Sequence, residues 1–159
     1  MHSFRTRRSV PYSPAQMYAL VAKVEDYPQF LPLCQALVVR AREATGAREV
    51  LVADMTVAYG PVRETFTSRV TLDPAGRKVL VEYLDGPFRH LENRWTLLEA
   101  ERGGCEVDFF ISYEFRSRTL QLLMGAMFDR AFARFAQAFE DRARQVYGDP
   151  GGGSIAAQS

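Results

Sequence analysis

The side chains able to do acid–base, nucleophilic or metal chemistry in this sequence do not form a recognisable set. His2 and His90 are its two histidines, Cys34 and Cys105 its two cysteines. His2 stands next to the first residue. His90, between Arg89 and Leu91 near the start of a predicted strand, is expected to be a surface or hydrogen-bonded imidazole rather than a general base. Two such histidines build no Ser-His-Asp or Cys-His arrangement. Neither cysteine has a second Cys or His at ligand spacing, so no disulfide framework and no metal are expected. Both read as small packing residues. The carboxylates Asp54, Glu64, Glu82, Glu92, Asp108 and Glu114 fall mostly on strand faces opposite the apolar stripes, where solvation or cross-strand arginine pairing suits them better than paired acid–base work. Neither G-x-x-x-x-G-K-[ST] nor G-x-G-x-x-G occurs, so a phosphate-cradling nucleotide site is not supported. These residues leave an enzyme without evidence rather than excluded, and no cofactor is expected.

Apolar bulk is what the chain has in quantity: 11 Phe, 7 Tyr, 1 Trp and 5 Met among 159 residues. Such residues either fill a core or line a cavity for an apolar ligand. Phe30, Leu31 and the segment from Met124 to Phe128 fall in a loop and at a helix start, where a sheet wrapped on a helix is open. Ser68, Asn93 and the hydroxyls of Tyr59 and Tyr113 are isolated polar groups on otherwise apolar faces, as a mostly greasy ligand with few polar atoms requires. Satisfied core polar groups would leave the same pattern. The candidate ligand-binding residues are Phe30, Leu31, Met55, Tyr59, Phe66, Trp95, Phe109, Ile111, Tyr113, Met124, Phe128 and Phe132.

The elements that must position them are legible from periodicity. Residues 3–10 alternate as a short strand with one strongly basic face. Ser13, Pro14 and Gln16 form a capping box with Pro at the first helical position, and Met17, Leu20, Val21 and Val24 continue a helical stripe. Pro28 and Pro32 limit the next stretch to about one helical turn. From Cys34 to Ser117 turn signals separate six strands: Thr45-Gly46, Gly60-Pro61, Asp73-Pro74-Ala75-Gly76, Asp85-Gly86-Pro87 and Gly103-Gly104. Several of them alternate apolar with charged or hydroxylated positions, the signature of an antiparallel meander with one wet face. Thr119 to Tyr147 lacks proline and repeats Met124, Phe128, Ala131, Phe132, Phe135, Ala138 and Phe139 at helical spacing, predicting one amphipathic helix of ~43 Å. The fold class expected is α+β: a helix-grip arrangement in which a curved antiparallel sheet of about seven strands wraps a long C-terminal helix, with two short helices after strand 1. Residues 1–148 are read as one domain, and the Gly/Ser/Ala tail at 149–159 as disordered.

Composition is that of an ordinary globular chain, with 47% hydrophobic and 25% charged residues. Twenty Lys+Arg against nineteen Asp+Glu leave a formal charge of +1, so no global field draws in nucleic acid or anionic lipid, and no DNA partner is expected. The longest apolar run, Leu122 to Phe128, is too short to span a bilayer, and no apolar leader follows the basic N-terminal residues. The reading is of a soluble, cytoplasmic protein.

Five motifs, in order, carry a resemblance. They are Pro11-Tyr12-Ser13-Pro14-Ala15-Gln16-Met17-Tyr18, Tyr27-Pro28-Gln29-Phe30-Leu31-Pro32-Leu33-Cys34, Phe66-Thr67-Ser68, the run from Asp85 to Trp95, and the run from Val107 to Ser117. Together they closely resemble the coenzyme Q-binding START-domain family, which includes bacterial proteins named ribosome association toxin. The likeness spans residues 3–147. It implies a hydrophobic tunnel that binds ubiquinone or a related polyprenyl lipid without catalysis, in support of respiratory electron transport, with peripheral contact at the inner face of the respiratory membrane. The Tyr27–Cys34 motif would form part of the tunnel mouth, and the strand bearing Phe109, Ile111, Tyr113 and Phe115 part of its wall. A different class of function stays open beside it: association with ribosomal subunits through Arg5, Arg7 and Arg8, with Arg130, Arg134, Arg142 and Arg144 of the last helix. A cyclase or hydrolase using the same cavity is a third reading, and it would need an acid–base group inside the cavity.

Overall fold

The computed structural model describes residues 1–150. The elements run β1 (His2–Val10), α1 (Pro14–Ala22), a 3-10 helix (Val24–Gln29), β2 (Cys34–Thr45), β3 (Arg48–Tyr59), β4 (Val62–Asp73), β5 (Lys78–Asp85), β6 (Phe88–Glu99), β7 (Cys105–Phe115) and α2 (Arg118–Tyr147). The seven strands form one antiparallel sheet in the order β1-β7-β6-β5-β4-β3-β2. The helix-grip architecture is therefore present, element for element. The expected tail at Gly151–Ser159 lies outside the described residues.

Local chemistry explains the boundaries. The Ser13 hydroxyl accepts from the Gln16 N–H at 3.0 Å while the Gln16 side chain accepts from the Ser13 N–H at 2.9 Å, closing the capping box that starts α1. The Ser117 hydroxyl caps α2 at the Leu120 N–H, and Gly148, at φ 84°, ends it. The helix expected to reach Val24 stops at Ala22, because the chain tightens into the 3-10 turn that carries Pro28.

The concave face of the sheet and the inner stripe of α2 make the core. Phe88 is fully buried, with ring centroids of Phe115, Phe66, Tyr83 and Phe128 at 4.6, 5.3, 5.7 and 6.0 Å. Trp95 stacks on Phe109 at 4.6 Å, and Phe109 stacks on Phe135 of α2 at 5.6 Å. At the other end, Phe139 meets Trp95, Phe30 and Tyr27 edge-on at 4.9, 5.0 and 5.4 Å. Edge-to-face and offset contacts of this kind exceed plain area burial by ~0.5–1.5 kcal/mol per pair. They clamp the helix to the sheet at both ends.

Gly86, in the turn between β5 and β6, has φ 140°, and a Cβ there would lie 2.7 Å from Phe66 Cβ and 2.9 Å from Phe66 Cα. The close approach holds Phe66 in the concave face. Gly86→Ala is expected to cost ~1–3 kcal/mol in a urea titration, from backbone strain together with displacement of β4. An unchanged midpoint would show that the turn relaxes freely.

Candidate functional site

A cavity of about 80 Å³ lies between the concave face of the sheet and α2. Its origin is a row of modest side chains flanked by bulky ones. Val70, Val81, Asn93 and Ile111 stand opposite one another in register across β4, β5, β6 and β7, and the Ala53–Ser68 pair continues the shallow region toward β3. Phe66 and Leu91 bound the row on one side and Trp95 on the other, while Phe128, Ala131, Phe132 and Phe135 of α2 roof it. The rim is Leu31, Pro32 and Leu33, where the chain passes from the 3-10 helix into β2. Leu33 has φ 66°, a strained conformation for a branched residue, and its carbonyl accepts from the Ala58 N–H at 3.1 Å.

The lining is almost entirely carbon. Asn93 satisfies itself within the protein: its Nδ2 donates to the Phe110 carbonyl at 2.9 Å and its Oδ1 accepts from Trp95 Nε1 at 3.0 Å. Tyr27 donates its hydroxyl to the Val21 carbonyl. That leaves the hydroxyl of Ser68, a residue 4% exposed, as the lining group best placed to meet a polar atom of a ligand. The titratable lining groups are the Tyr27 phenol and the Cys34 thiol. Burial pushes the thiol from 9.0 up to about 12 and the phenol well above its ordinary value. Both remain protonated at neutral pH. Neither is set up as a general base, and the lining suits an apolar body with at most one or two hydrogen bonds.

Burial raises Cys105 to about 11, and Tyr113 is raised by burial with Asp129 beside it. In the unfolded chain these groups ionise earlier than in the native one, so above an ordinary thiol pKa the unfolded state binds fewer protons and stability falls as pH rises. The contribution is fully present below 9.0 and is lost toward about 12 for Cys34. Urea titrations are expected to give constant stability up to that lower pH and a steady decline beyond it, shallower in a Cys34→Ala/Cys105→Ala protein. A flat profile across the whole alkaline range would contradict the burial of these groups.

Of the residues expected at the site from sequence, Leu31, Met55, Phe66, Trp95, Ile111, Phe128 and Phe132 meet at the cavity. Five do not. Tyr59 ends β3 at a hairpin and is 46% exposed. Phe30 packs outside the wall against Phe139 and under the Arg142 guanidinium, 5.2 Å from its ring centroid. Phe109 is sandwiched between Trp95 and Phe135, and Met124 is buried core. Tyr113 is also core, its hydroxyl donating toward the Asp129 carboxylate at 3.1 Å and the Gly125 carbonyl at 3.3 Å. Lining residues not foreseen include Val81, Ala131 and Leu37; they have no chemical signature, and register alone brings them together.

His90 lies on the opposite, convex face, with Nε2 2.8 Å from Ser112 Oγ. The three arginines of the basic strand are all paired, with two carboxylates between them. Arg5 makes two hydrogen bonds to the Asp108 carboxylate, at 2.9 and 3.2 Å, and Arg7 approaches the same group at 3.6 Å. Arg8 binds Glu140 of α2 at 2.8 Å and also Gln137. Among the described residues no group of three or more His, Cys, Asp or Glu is placed to hold a metal, and no helix is long and apolar enough to cross a membrane.

A curved sheet gripping one helix around an apolar cavity defines a START-like helix-grip protein. The chain belongs to the family described as polyketide cyclase / dehydrase and lipid transport, whose model matches residues 10–140. It is 36% identical over 138 residues to the Ribosome association toxin RatA of Escherichia coli (strain K12), covering 87% of this chain and 84% of that one. It is 29% identical over 145 residues to the mitochondrial Coenzyme Q-binding protein coq10 of Schizosaccharomyces pombe, covering 91% and 88%. The solution structure of the 18 kDa protein CC1736 from Caulobacter crescentus superposes with a TM-score of 0.79 at 32% identity, covering 94% of this chain and 100% of the other.

Proposed function

We propose that this protein is a non-catalytic carrier that binds ubiquinone or a related polyprenyl lipid in the cavity beneath Trp95, supporting respiratory electron transport from a peripheral, cytoplasmic position at the membrane. The observation that carries the reading is the lining itself: a row of modest apolar side chains roofed by Phe128 and Phe132, with the Ser68 hydroxyl facing in. A quinone has the matching chemistry, a flat apolar ring with carbonyl acceptors and a hydrocarbon tail. Each buried methylene is worth ~0.8 kcal/mol, so even a partly enclosed tail offsets association costs of ~4–15 kcal/mol. The relative named as coenzyme Q-binding supports the same ligand class. The cyclase and dehydrase chemistry in the family's description needs a proton acceptor, and burial pushes up both titratable lining groups, Tyr27 and Cys34, with the Tyr27 hydroxyl already donated to the Val21 carbonyl.

The cavity of about 80 Å³ is smaller than the ~150 Å³ space known to admit one benzene, so the carrier binds by widening. The chain has one tryptophan, and it lines the cavity. Titrating the protein with a short-tailed ubiquinone is expected to quench Trp95 emission saturably, and a tail-only alcohol should compete. Emission that falls only linearly, as collisional quenching does, would remove the reading.

The relatives named ribosome association toxin favour a second reading, association with a ribosomal subunit. Because Arg5, Arg7 and Arg8 are held by Asp108 and Glu140, their replacement by alanine is expected to leave any such association, followed by sedimentation, within about twofold of wild type. A steep loss would return the contact to β1.

A further inference from the structure

The roof of the cavity has an outer face with no partner in the fold. Along residues 118–134 the inner side of α2 supplies Phe128, Ala131 and Phe132 to the cavity. The outer side presents Leu122, 85% exposed and the most exposed large hydrophobic among the described residues, and Leu123, 56% exposed, level with Val38. Ala126, Arg130, Ala133 and Arg134 continue that outer side at helical spacing, and all four are exposed. Among the described residues Arg118, Arg130 and Arg134 make no ion pair, whereas farther along the helix Glu140, Arg142 and Arg144 are all paired. The one acid in the stretch, Asp129, accepts the Tyr113 hydroxyl. An exposed surface that combines two adjacent leucines with uncompensated arginines has the composition of a helix lying at a lipid interface, apolar tips inserted and guanidinium groups reaching the phosphates.

We infer that the outer face of residues 118–134 of α2 is the surface by which this protein docks on an anionic lipid bilayer. Arg118, Arg130 and Arg134 supply the charge complementarity, and Leu122 and Leu123 the insertion. Nucleic acid would reward the arginines but gain nothing from two leucines held in water, which is why a bilayer fits this face better than RNA. The placement deepens the carrier reading, on which it rests: the helix that docks carries Phe128, Ala131 and Phe132 of the cavity roof on its other side.

The test is flotation of the purified full chain with quinone-free vesicles, so that failure here and failure of quinone binding are separate results. Wild-type protein is expected to float with vesicles of phosphatidylcholine mixed with phosphatidylglycerol, far less with phosphatidylcholine alone, and progressively less as salt is raised. Leu122→Glu/Leu123→Glu is expected to weaken partitioning by roughly tenfold or more. Arg118→Gln/Arg130→Gln/Arg134→Gln is expected to weaken it by a similar factor and to abolish most of the salt dependence. Trp95 emission and near-ultraviolet circular dichroism verify the fold, and Leu122→Ser/Leu123→Ser serves should the glutamates disturb α2. Wild-type protein that ignores anionic vesicles at low salt, variants that float as wild type does, or binding to ribosomal subunits through these arginines with no vesicle binding would each overturn the assignment.

Discussion

Phe88→Ala is expected to be the most destabilising single substitution in this chain, by ~3–5 kcal/mol, lowering Tm by about 6–20 °C. Phe88 is 0% exposed and touches aromatic rings from β4, β5, β7 and α2, so truncation opens a void that no one element can fill by moving alone. Its backbone is also fixed: the N–H donates to the Tyr83 hydroxyl at 3.1 Å and the carbonyl accepts from Arg116 Nε at 2.9 Å. That pinning prevents the turn from collapsing into the gap. Phe88 is not on the cavity wall, so whatever fraction remains folded at low temperature should bind ligand with affinity within a few fold of wild type. A Tm within a degree or two of wild type would show that the aromatic cluster is not what clamps α2 to the sheet.

Ile111→Lys is the substitution expected to damage binding most. Ile111 stands beside Asn93 at the β7 end of the row, and no carboxylate lines the cavity. An ammonium placed there has no partner and keeps its charge only by drawing in water, which an apolar ligand cannot displace. A loss of at least about 100-fold in quinone affinity is expected, together with reduced stability. Val81→Phe separates the two effects, because it fills the same row with carbon. It should leave Tm near wild type while still excluding ligand. Quinone bound with undiminished affinity by a folded Val81→Phe protein would place the ligand somewhere other than this cavity.

The fold was legible because its elements have strong periods and strong punctuation. Two-residue alternation, glycine and proline turns and an uninterrupted helical stripe set the order of elements almost without competition. The site was legible only by face. In β7, Phe109, Ile111 and Tyr113 share one side of the strand, yet Phe109 and Tyr113 are covered by α2 while Ile111 looks into empty space. The difference is made by cross-strand neighbours: Ile111 is in line with Asn93, Val81 and Val70, all too small to reach the helix, whereas Phe109 lies opposite Trp95. Cross-strand register determines such a row, and two-residue alternation tells which face a residue takes but not which residues align across four strands. Tyr59 lies away from the cavity for a related reason: alternation continues to the end of β3 but burial does not, and the last residue before the hairpin is 46% exposed.

The arginines teach a complementary lesson. Arg5, Arg7 and Arg8 form the most conspicuous basic run in the sequence, and the fold places Asp108 and Glu140 against them. The cations left without acidic partners on α2 are spread across its first half and stand out only once the helix is seen to bury its other side.

A quinone carrier must hold its prenylated cargo in the space beneath Trp95. The most direct measurement is organic extraction of the protein purified from its native host, followed by mass spectrometry for prenyl quinones, with Val81→Phe purified in parallel. Near-stoichiometric ubiquinone from the wild type and none from the variant is the predicted result. An empty wild-type extract, still empty after incubation with quinone-loaded vesicles, would contradict it.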